Sequence, residues 1–356
     1  MDLRVVIAGG GTGGHLYPGI AVAREFQEAA GAAVTFLTTP KAVTTRILER
    51  YGFPWEALES RALKGEGIFS RARALLSLPG SVKAARRRLE ALSPHLVLGM
   101  GGHTSFPVGV AAYRWGIPLA LHEQNAIPGA ANRWLSRLAR RVFISFPESR
   151  GHLPPEKTVW TGNPIRREFF QEWPPRPATP FTVLITGGSQ GARRLNLEVT
   201  GALPQILDLK ERLHFIHLTG EADLDVVTEA YRASVFAAEV MAFTDEMPGL
   251  MARAHLIVCR AGASTLAELA AVGRAALLVP YPFAANNHQE HNARFLTEAG
   301  AAELILNKEF TAARFADKIR QLLAAPEKLA AMEAAARRLA KPDAAKEIVQ
   351  GCMELI

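Results

Sequence analysis

Val5-Val6-Ile7-Ala8-Gly9-Gly10-Gly11-Thr12-Gly13-Gly14-His15 opens with a short, mostly β-branched run that stops at a glycine loop, and helix-forming sequence follows in Ile20-Ala21-Val22-Ala23-Arg24-Glu25-Phe26. A strand that empties into glycines and then into a helix leaves backbone N–H groups at the helix N-terminus. Glycine there permits positive φ and close approach of a ligand, so the loop suits phosphate. The pattern returns half a chain later. Val183-Leu184-Ile185-Thr186 runs into Gly187-Gly188-Ser189-Gln190-Gly191-Ala192 and then Arg193-Arg194-Leu195-Asn196-Leu197. Two such strand-loop-helix units predict two similar Rossmann-like domains facing one cleft.

Between and beyond these loops, apolar runs alternate with helical sequence. In the first half the strands are expected at 33–37, 95–98, 118–121 and 142–144; in the second at 182–186, 213–218, 240–243, 255–259 and 275–279. Their hydrophobicity is continuous rather than alternating, which means strands covered on both faces and hence a doubly wound parallel sheet between helices. Prolines thicken at Pro164, Pro174, Pro175, Pro177 and Pro180, marking the expected linker. Helical sequence runs from Ala312 onward, broken at Pro326 and Pro342.

At 356 residues the prior is two domains, and 49% hydrophobic with 21% charged residues is an ordinary globular composition. With Cys259 and Cys352 as its only cysteines, the chain is not expected to carry a disulfide framework, and a reducing cytoplasm fits best. Met1-Asp2-Leu3-Arg4 does not read as a signal peptide, and no run approaches the ~18–20 apolar residues of a spanning helix, so the chain is not expected to cross a membrane. The net charge of +7 is uneven: residues 1–163 hold 20 Lys and Arg against 11 Asp and Glu, the remainder 21 against 23. Residues 61–90 alone hold eight basic and two acidic side chains, a local face for phosphate, anionic lipid or nucleic acid.

Gly9, Gly11 and Gly14 satisfy G-x-G-x-x-G, which alone would point to a dinucleotide, or to no more than a tight turn. The next strand ends Leu37-Thr38-Thr39-Pro40, without the acidic residue that holds a ribose in NAD sites. Gly99-Met100-Gly101-Gly102-His103 is a further strand-to-helix glycine turn, and His122-Glu123-Gln124-Asn125 places four polar groups at a strand end, where open α/β sheets bind ligands. Gly162-Asn163-Pro164-Ile165-Arg166 closes the first half. In the second, Cys259-Arg260-Ala261-Gly262-Ala263-Ser264 leads to Glu268, which either binds a ligand or complements a helix dipole. His288 and His291 stand three apart, but no cysteine or carboxylate cluster completes a site, so no metal is expected.

Taken together and in order, these motifs closely resemble the family 28 glycosyltransferases that add N-acetylglucosamine to lipid I, giving lipid II, in peptidoglycan synthesis. The match spans essentially the whole chain. It implies the GT-B fold, with an acceptor and membrane-facing domain at 1–163 plus 341–356, the last helix crossing back, and a UDP-sugar domain at 164–340. Carried over residue by residue, it implies UDP-N-acetylglucosamine (UDP-GlcNAc) contacts at Thr12, Gly13, Gly14, Asn125, Arg166, Ser189, Gln190, Gly191, Phe243, Thr244, Ala263 and Gln289, with Glu268 on the uridine ribose. Thr244 stands where isoleucine is frequent and His103 where tyrosine is common.

The implied reaction is inverting: the muramyl 4-hydroxyl attacks the anomeric carbon and UDP departs. It needs a base and positive potential for the diphosphate. Ser189 and the N–H groups of Gln190 and Gly191 meet the second need without a metal or cofactor. His15 is the leading base, since imidazole titrates near neutrality, and Glu123 is its rival. The resemblance also implies a peripheral position on the cytoplasmic face of the bacterial membrane and cell-wall synthesis proteins as partners. Ile68, Phe69, Arg71, Arg73, Leu75 and Leu76 are the expected membrane patch, alternatively an ordinary amphipathic helix. A different GT-B transferase is the rival function. A nucleic-acid binder ranks last, because residues 71–88 interleave no aromatics with their basic side chains.

Overall fold

A computed structural model describes residues 3–10, 13–58, 68–188 and 190–356, the side chains of 43 and 68–77 excepted. The chain forms two compact units, one of residues Met1–Arg166 with Lys341–Ile356, the other of Arg167–Ala340.

The first unit is built on seven parallel strands: β1 (Arg4–Ala8), β2 (Ala33–Thr38), β3 (Trp55–Ala57), β4 (Leu96–Gly99), β5 (Leu119–Glu123), β6 (Arg141–Ile144) and β7 (Thr158–Trp160), in the order β3-β2-β1-β4-β5-β6-β7. Val6 of β1 is matched with Thr35 of β2 on one side and Val97 of β4 on the other. Successive β1 side chains feed opposite cores. Val5 and Ile7 pack with Phe26, Phe36, Ile348 and Cys352; Val6 and Ala8 pack with Val82, Ala85, Leu89 and Leu135. Burial on both faces is why these strands read as unbroken apolar runs.

The second unit carries six parallel strands, β8 (Phe181–Thr186), β9 (Leu213–Leu218), β10 (Ala237–Met241), β11 (Leu256–Cys259), β12 (Ala276–Leu278) and β13 (Ala302–Leu304), ordered β10-β9-β8-β11-β12-β13. Counted from each unit's own first strand, both sheets contain the order 3-2-1-4-5-6 of the doubly wound fold. The topological switch point lies beside β1 and β4 in one unit and beside β8 and β11 in the other, where the glycine loops leave the sheet.

The structure corrects the strand reading at the sheet edges. β3, β7 and β13 are edge strands of three residues that no apolar run announces, and the strand expected at 240–243 is instead β10, ending at Met241 and leaving Phe243 52% exposed. An edge strand is covered incompletely, so its sequence need not be apolar throughout.

The last two helices follow the proline signals at Pro326 and Pro342, whereas Pro79 lies inside the helix Ile68–Leu92. Pro326 stands at the first position of the helix Pro326–Leu339, where its missing N–H has no partner to lose. The helix Ala344–Met353 packs on the first unit, burying Ile348, Val349 and Cys352. Arg141 Nη1 donates to Gly351 O at 3.0 Å and to Glu354 Oε2 at 2.6 Å. Among the described residues, no helix is long and apolar enough to cross a membrane.

Candidate functional site

In the first unit, three strands adjacent in the sheet, β1, β4 and β5, deliver the polar motifs from their carboxyl ends. The loop after β1 enters the helix Gly13–Ala30, which starts earlier than its apolar stretch suggests, so His15 sits in the first helical turn. The loop after β4 turns through Gly101 (φ +87°) and Gly102 (φ +79°) into the helix Gly102–Arg114. The His15 ring lies against this turn: a Cβ added to Gly101 would stand 3.3 Å from His15 Cε1. The positive φ disfavours larger residues, and a Cβ at Gly101 would press on the His15 ring. Burial first, then the nearby charges of Lys41 and His15, hold the His103 pKa below its ordinary range.

The polar run ending β5 is buried, with His122 at 0%, Glu123 at 2% and Gln124 at 2% exposure. Gln124 Nε2 donates to Met100 O at 3.1 Å and approaches His122 Nδ1 at 3.0 Å, while Gln124 Oε1 faces His15 Nδ1 at 2.9 Å. His122 Nε2 lies 3.3 Å from Gly162 O. Burial pushes the His122 pKa down to about 4, so this ring is neutral at physiological pH.

Glu123 turns inward. Its Oε1 accepts from the Asn125 backbone N–H (2.9 Å) and Asn125 Nδ2 (3.3 Å); its Oε2 accepts from the Gly129 N–H (3.0 Å) and Asn132 Nδ2 (2.9 Å). Four donors occupy a carboxylate with roughly four lone-pair sites. The geometry makes Glu123 the organiser of the 123–132 loop. Asn132, which the sequence did not single out, is buried on the short helix Ala130–Leu135 and also reaches His122 O at 3.0 Å. Arg166 belongs to the first unit, its Nη1 3.3 Å from Tyr51 Oη and its guanidinium 5.5 Å from the Tyr17 ring centre. Gly13 and Gly14 begin the first helix; Thr12 lies outside the described residues.

The second unit repeats the glycine loop between β8 and the helix Arg193–Ala202. Gly191 has φ +71°, and a Cβ there would meet Thr219 O at 2.2 Å, so only glycine fits. Gln190 is exposed; Ser189 lies outside the described residues. Behind the loop, a buried network missed at the sequence level braces the turn. Asn196 Nδ2 donates to Thr219 O and Asp223 Oδ2, both at 2.9 Å, and Asn196 Oδ1 lies 3.1 Å from His217 Nε2. A buried asparagine between Leu195 and Val199 was the available signal.

Glu268 is half-buried in the second turn of the helix Ala263–Val272, whose first residue, Ala263, is buried. Gln289 Oε1 accepts from the Ala261 N–H at 3.1 Å and the Tyr281 N–H at 2.9 Å, so its carboxamide presents N–H donors, not an acceptor, to any ligand. Thr244 Oγ1 accepts from the Glu246 N–H at 3.0 Å, a turn contact that uses one lone pair of the hydroxyl. Among the described residues, no three His, Cys, Asp or Glu side chains cluster as a metal site would require.

The glycosyltransferase family 28 N-terminal domain matches residues 5–144 and the family's C-terminal domain residues 182–348. A protein of Myxococcus xanthus named UDP-N-acetylglucosamine--N-acetylmuramyl-(pentapeptide) pyrophosphoryl-undecaprenol N-acetylglucosamine transferase is 43% identical over 357 residues, covering 99% of this chain and 93% of the relative. A protein of Geobacter metallireducens with the same name is also 43% identical, over 99% of this chain and 98% of its own length. The crystal structure of Acinetobacter baumannii MurG superposes with a TM-score of 0.81 at 30% identity, covering 99% of this chain and all of that one.

Proposed function

The chain belongs to glycosyltransferase family 28, and from that premise we propose that it transfers N-acetylglucosamine from UDP-GlcNAc to the muramyl 4-hydroxyl of lipid I, giving lipid II for peptidoglycan. The observation that carries this reading is end-to-end similarity, at 43% identity, to relatives named for that transfer.

The two units divide the chemistry. In the first, His15 accepts the hydroxyl proton as the new glycosidic bond forms. In the second, the loop of Ser189, Gln190 and Gly191 and the N-terminus of the helix Arg193–Ala202 receive the diphosphate, where backbone N–H groups and the helix dipole favour negative charge. That arrangement supplies the leaving group's stabilisation through the chain's own residues, with no metal in the reading. Glu268 accepts the ribose hydroxyls, and Gln289 donates to sugar oxygens, the polarity its inward-facing carbonyl imposes.

The acceptor is a polyprenyl lipid, and we place the protein peripherally on the cytoplasmic membrane face. Ile68, Phe69, Arg71, Arg73, Leu75 and Leu76 lie on the helix Ile68–Leu92, but their side chains fall outside those described. Farther along that helix Val82, Ala85 and Leu89 are buried while Lys83, Arg86, Arg87 and Arg88 are exposed. The Arg86 guanidinium lies 4.6 Å from the Trp115 ring centre, and Tyr113, Trp115 and Trp134 are 55%, 41% and 48% exposed. Amphipathic aromatics beside basic side chains suit a headgroup layer.

The deciding assay measures transfer of radiolabelled N-acetylglucosamine from UDP-GlcNAc to a lipid I analogue, with other UDP-sugars as competitors. Transfer with UDP-GlcNAc preferred is expected; absence of transfer, or preference for another UDP-sugar, overturns the reading.

A further inference from the structure

Two main-chain carbonyls anchor the chain of side chains His122, Gln124 and His15: Gly162 O at its His122 end and Met100 O at its middle member, Gln124. A carbonyl can only accept a hydrogen bond. Gly162 O, 3.3 Å from His122 Nε2, therefore fixes the proton of the neutral ring on Nε2 and leaves Nδ1 as an acceptor. Met100 O, 3.1 Å from Gln124 Nε2, fixes the amino side of the carboxamide. The two requirements agree, because the second Gln124 N–H then donates to His122 Nδ1 at 3.0 Å. Turning the carboxamide over would set Oε1 against Met100 O and against the His122 lone pair.

With its amino group committed, Gln124 offers His15 only an acceptor, Oε1, 2.9 Å from Nδ1. The His15 proton accordingly resides on Nδ1 and the lone pair on Nε2. Among the described residues none hydrogen-bonds that Nε2, and the ring face rests on the Gly101–Gly102 turn. Of the titratable groups around it, His103 lies near His15, with Lys41 near His103 in turn, and His122 lies behind Gln124.

We propose that Gln124 and His122 are positioning residues that hold His15 in the Nδ1–H tautomer, so that Nε2 is the atom that takes the acceptor hydroxyl's proton. This rests on the transfer reaction proposed above. In that step the hydroxyl oxygen bonds to the anomeric carbon as its proton passes to Nε2. The anomeric carbon–oxygen bond to UDP breaks with its electron pair leaving on UDP, and the imidazolium keeps its Nδ1–H on Gln124 Oε1 until Nε2 returns the proton to solvent. Protonation of His122 would defeat the arrangement, since Nδ1–H would then oppose the Gln124 amino group; burial keeps that ring neutral at physiological pH.

The test is ¹⁵N NMR of the full chain labelled in histidine, with the His15 signals assigned by their loss in His15→Gln. The wild type is expected to show a protonated Nδ1 and an unprotonated Nε2 for the neutral ring. A proton on Nε2 overturns the proposal without recourse to any variant. Gln124→Met should lose the Nδ1–H signature and lower kcat roughly 10-fold or more, with KM for UDP-GlcNAc nearly unchanged, whereas Gln124→Glu, which keeps an acceptor toward His15, should retain the signature. A wild-type tautomer in Gln124→Met would show that Gln124 does not set it. The spectrum is read without substrate, so failure of the wild-type transfer assay counts against the proposed reaction and leaves the tautomer result standing.

Discussion

Glu123 Oε2 and Asn132 Nδ2 are joined at 2.9 Å, a side-chain bond across nine residues that folds the 123–132 loop back onto the end of β5. With three further donors on the same carboxylate, exchanging one oxygen for an amino group sets donor against donor. Glu123→Gln should destabilise the protein by about 1–3 kcal/mol in urea unfolding. The remaining activity should keep the wild-type pH dependence. Full stability with abolished turnover would instead return Glu123 to the role of base.

His15→Ala removes the proposed proton acceptor and changes no residue of the second unit. Initial rates should show kcat reduced roughly 10²-fold or more, while calorimetry finds UDP-GlcNAc bound with little change. Near-normal turnover would mean that Glu123 or solvent takes the proton.

Glu268 and Ser189 are assigned to different halves of UDP, so their losses should differ in kind. Glu268→Ala should weaken uridine, UDP and UDP-GlcNAc alike, by about 1.5–3 kcal/mol for lost charge-assisted hydrogen bonds. Ser189→Ala should weaken UDP and UDP-GlcNAc but leave uridine as before. Titration of the three ligands separates these outcomes, and wild-type affinity of Glu268→Ala for UDP would reduce that carboxylate to a helix-dipole role.

The central strands were legible in the sequence because burial on both faces demands apolar residues throughout, as in Val5–Ala8 and Leu96–Leu98. Trp55–Ala57, Thr158–Trp160 and Ala302–Leu304 were not, since an edge strand meets no such demand. The glycine loops were equally legible: Gly101 and Gly191 each need a backbone that a side chain forbids. What composition and spacing did not reveal was polarity. Whether Glu123 faces a ligand or its own loop depends on Gly129 and Asn132 folding back to it, and the direction in which Gln289 points depends on the N–H groups of Ala261 and Tyr281.

Buried neutral histidines tie stability to pH. His122, held down to about 4, and His217, held down to about 3, both by burial, stay unprotonated in the fold over a range where the unfolded chain, with its ordinary value near 6.5, takes up protons. Their folded pKa values are depressed, so stability is undiminished above about pH 6.5 and falls as the pH drops toward 4, by about 3 kcal/mol for His122 alone. Urea unfolding at pH 7, 6 and 5 should show this decline, and His217→Leu should make it shallower. Stability independent of pH over that interval contradicts the assignment.

At the membrane, Arg86 and Trp115 are expected to act together. Sedimentation with vesicles containing phosphatidylglycerol should show binding that weakens with salt, and Arg86→Ala should lose about 1 kcal/mol of it. Trp115→Ala should weaken binding with less dependence on salt. Equal binding to neutral and anionic vesicles at low salt would refute the proposed surface.

The helix Ala344–Met353 completes a sheet whose strands were all synthesised before residue 161. The core of the first unit therefore joins Ile348, Val349 and Cys352 to residues that all precede Ile144, with the whole of Arg167–Ala340 lying between them in the chain. The N-terminal unit therefore cannot finish first, as domains usually do during synthesis. A chain truncated after residue 340 would keep every strand of both sheets yet leave the first unit with an open apolar groove over Phe26 and Phe143, a surface for chaperones to bind.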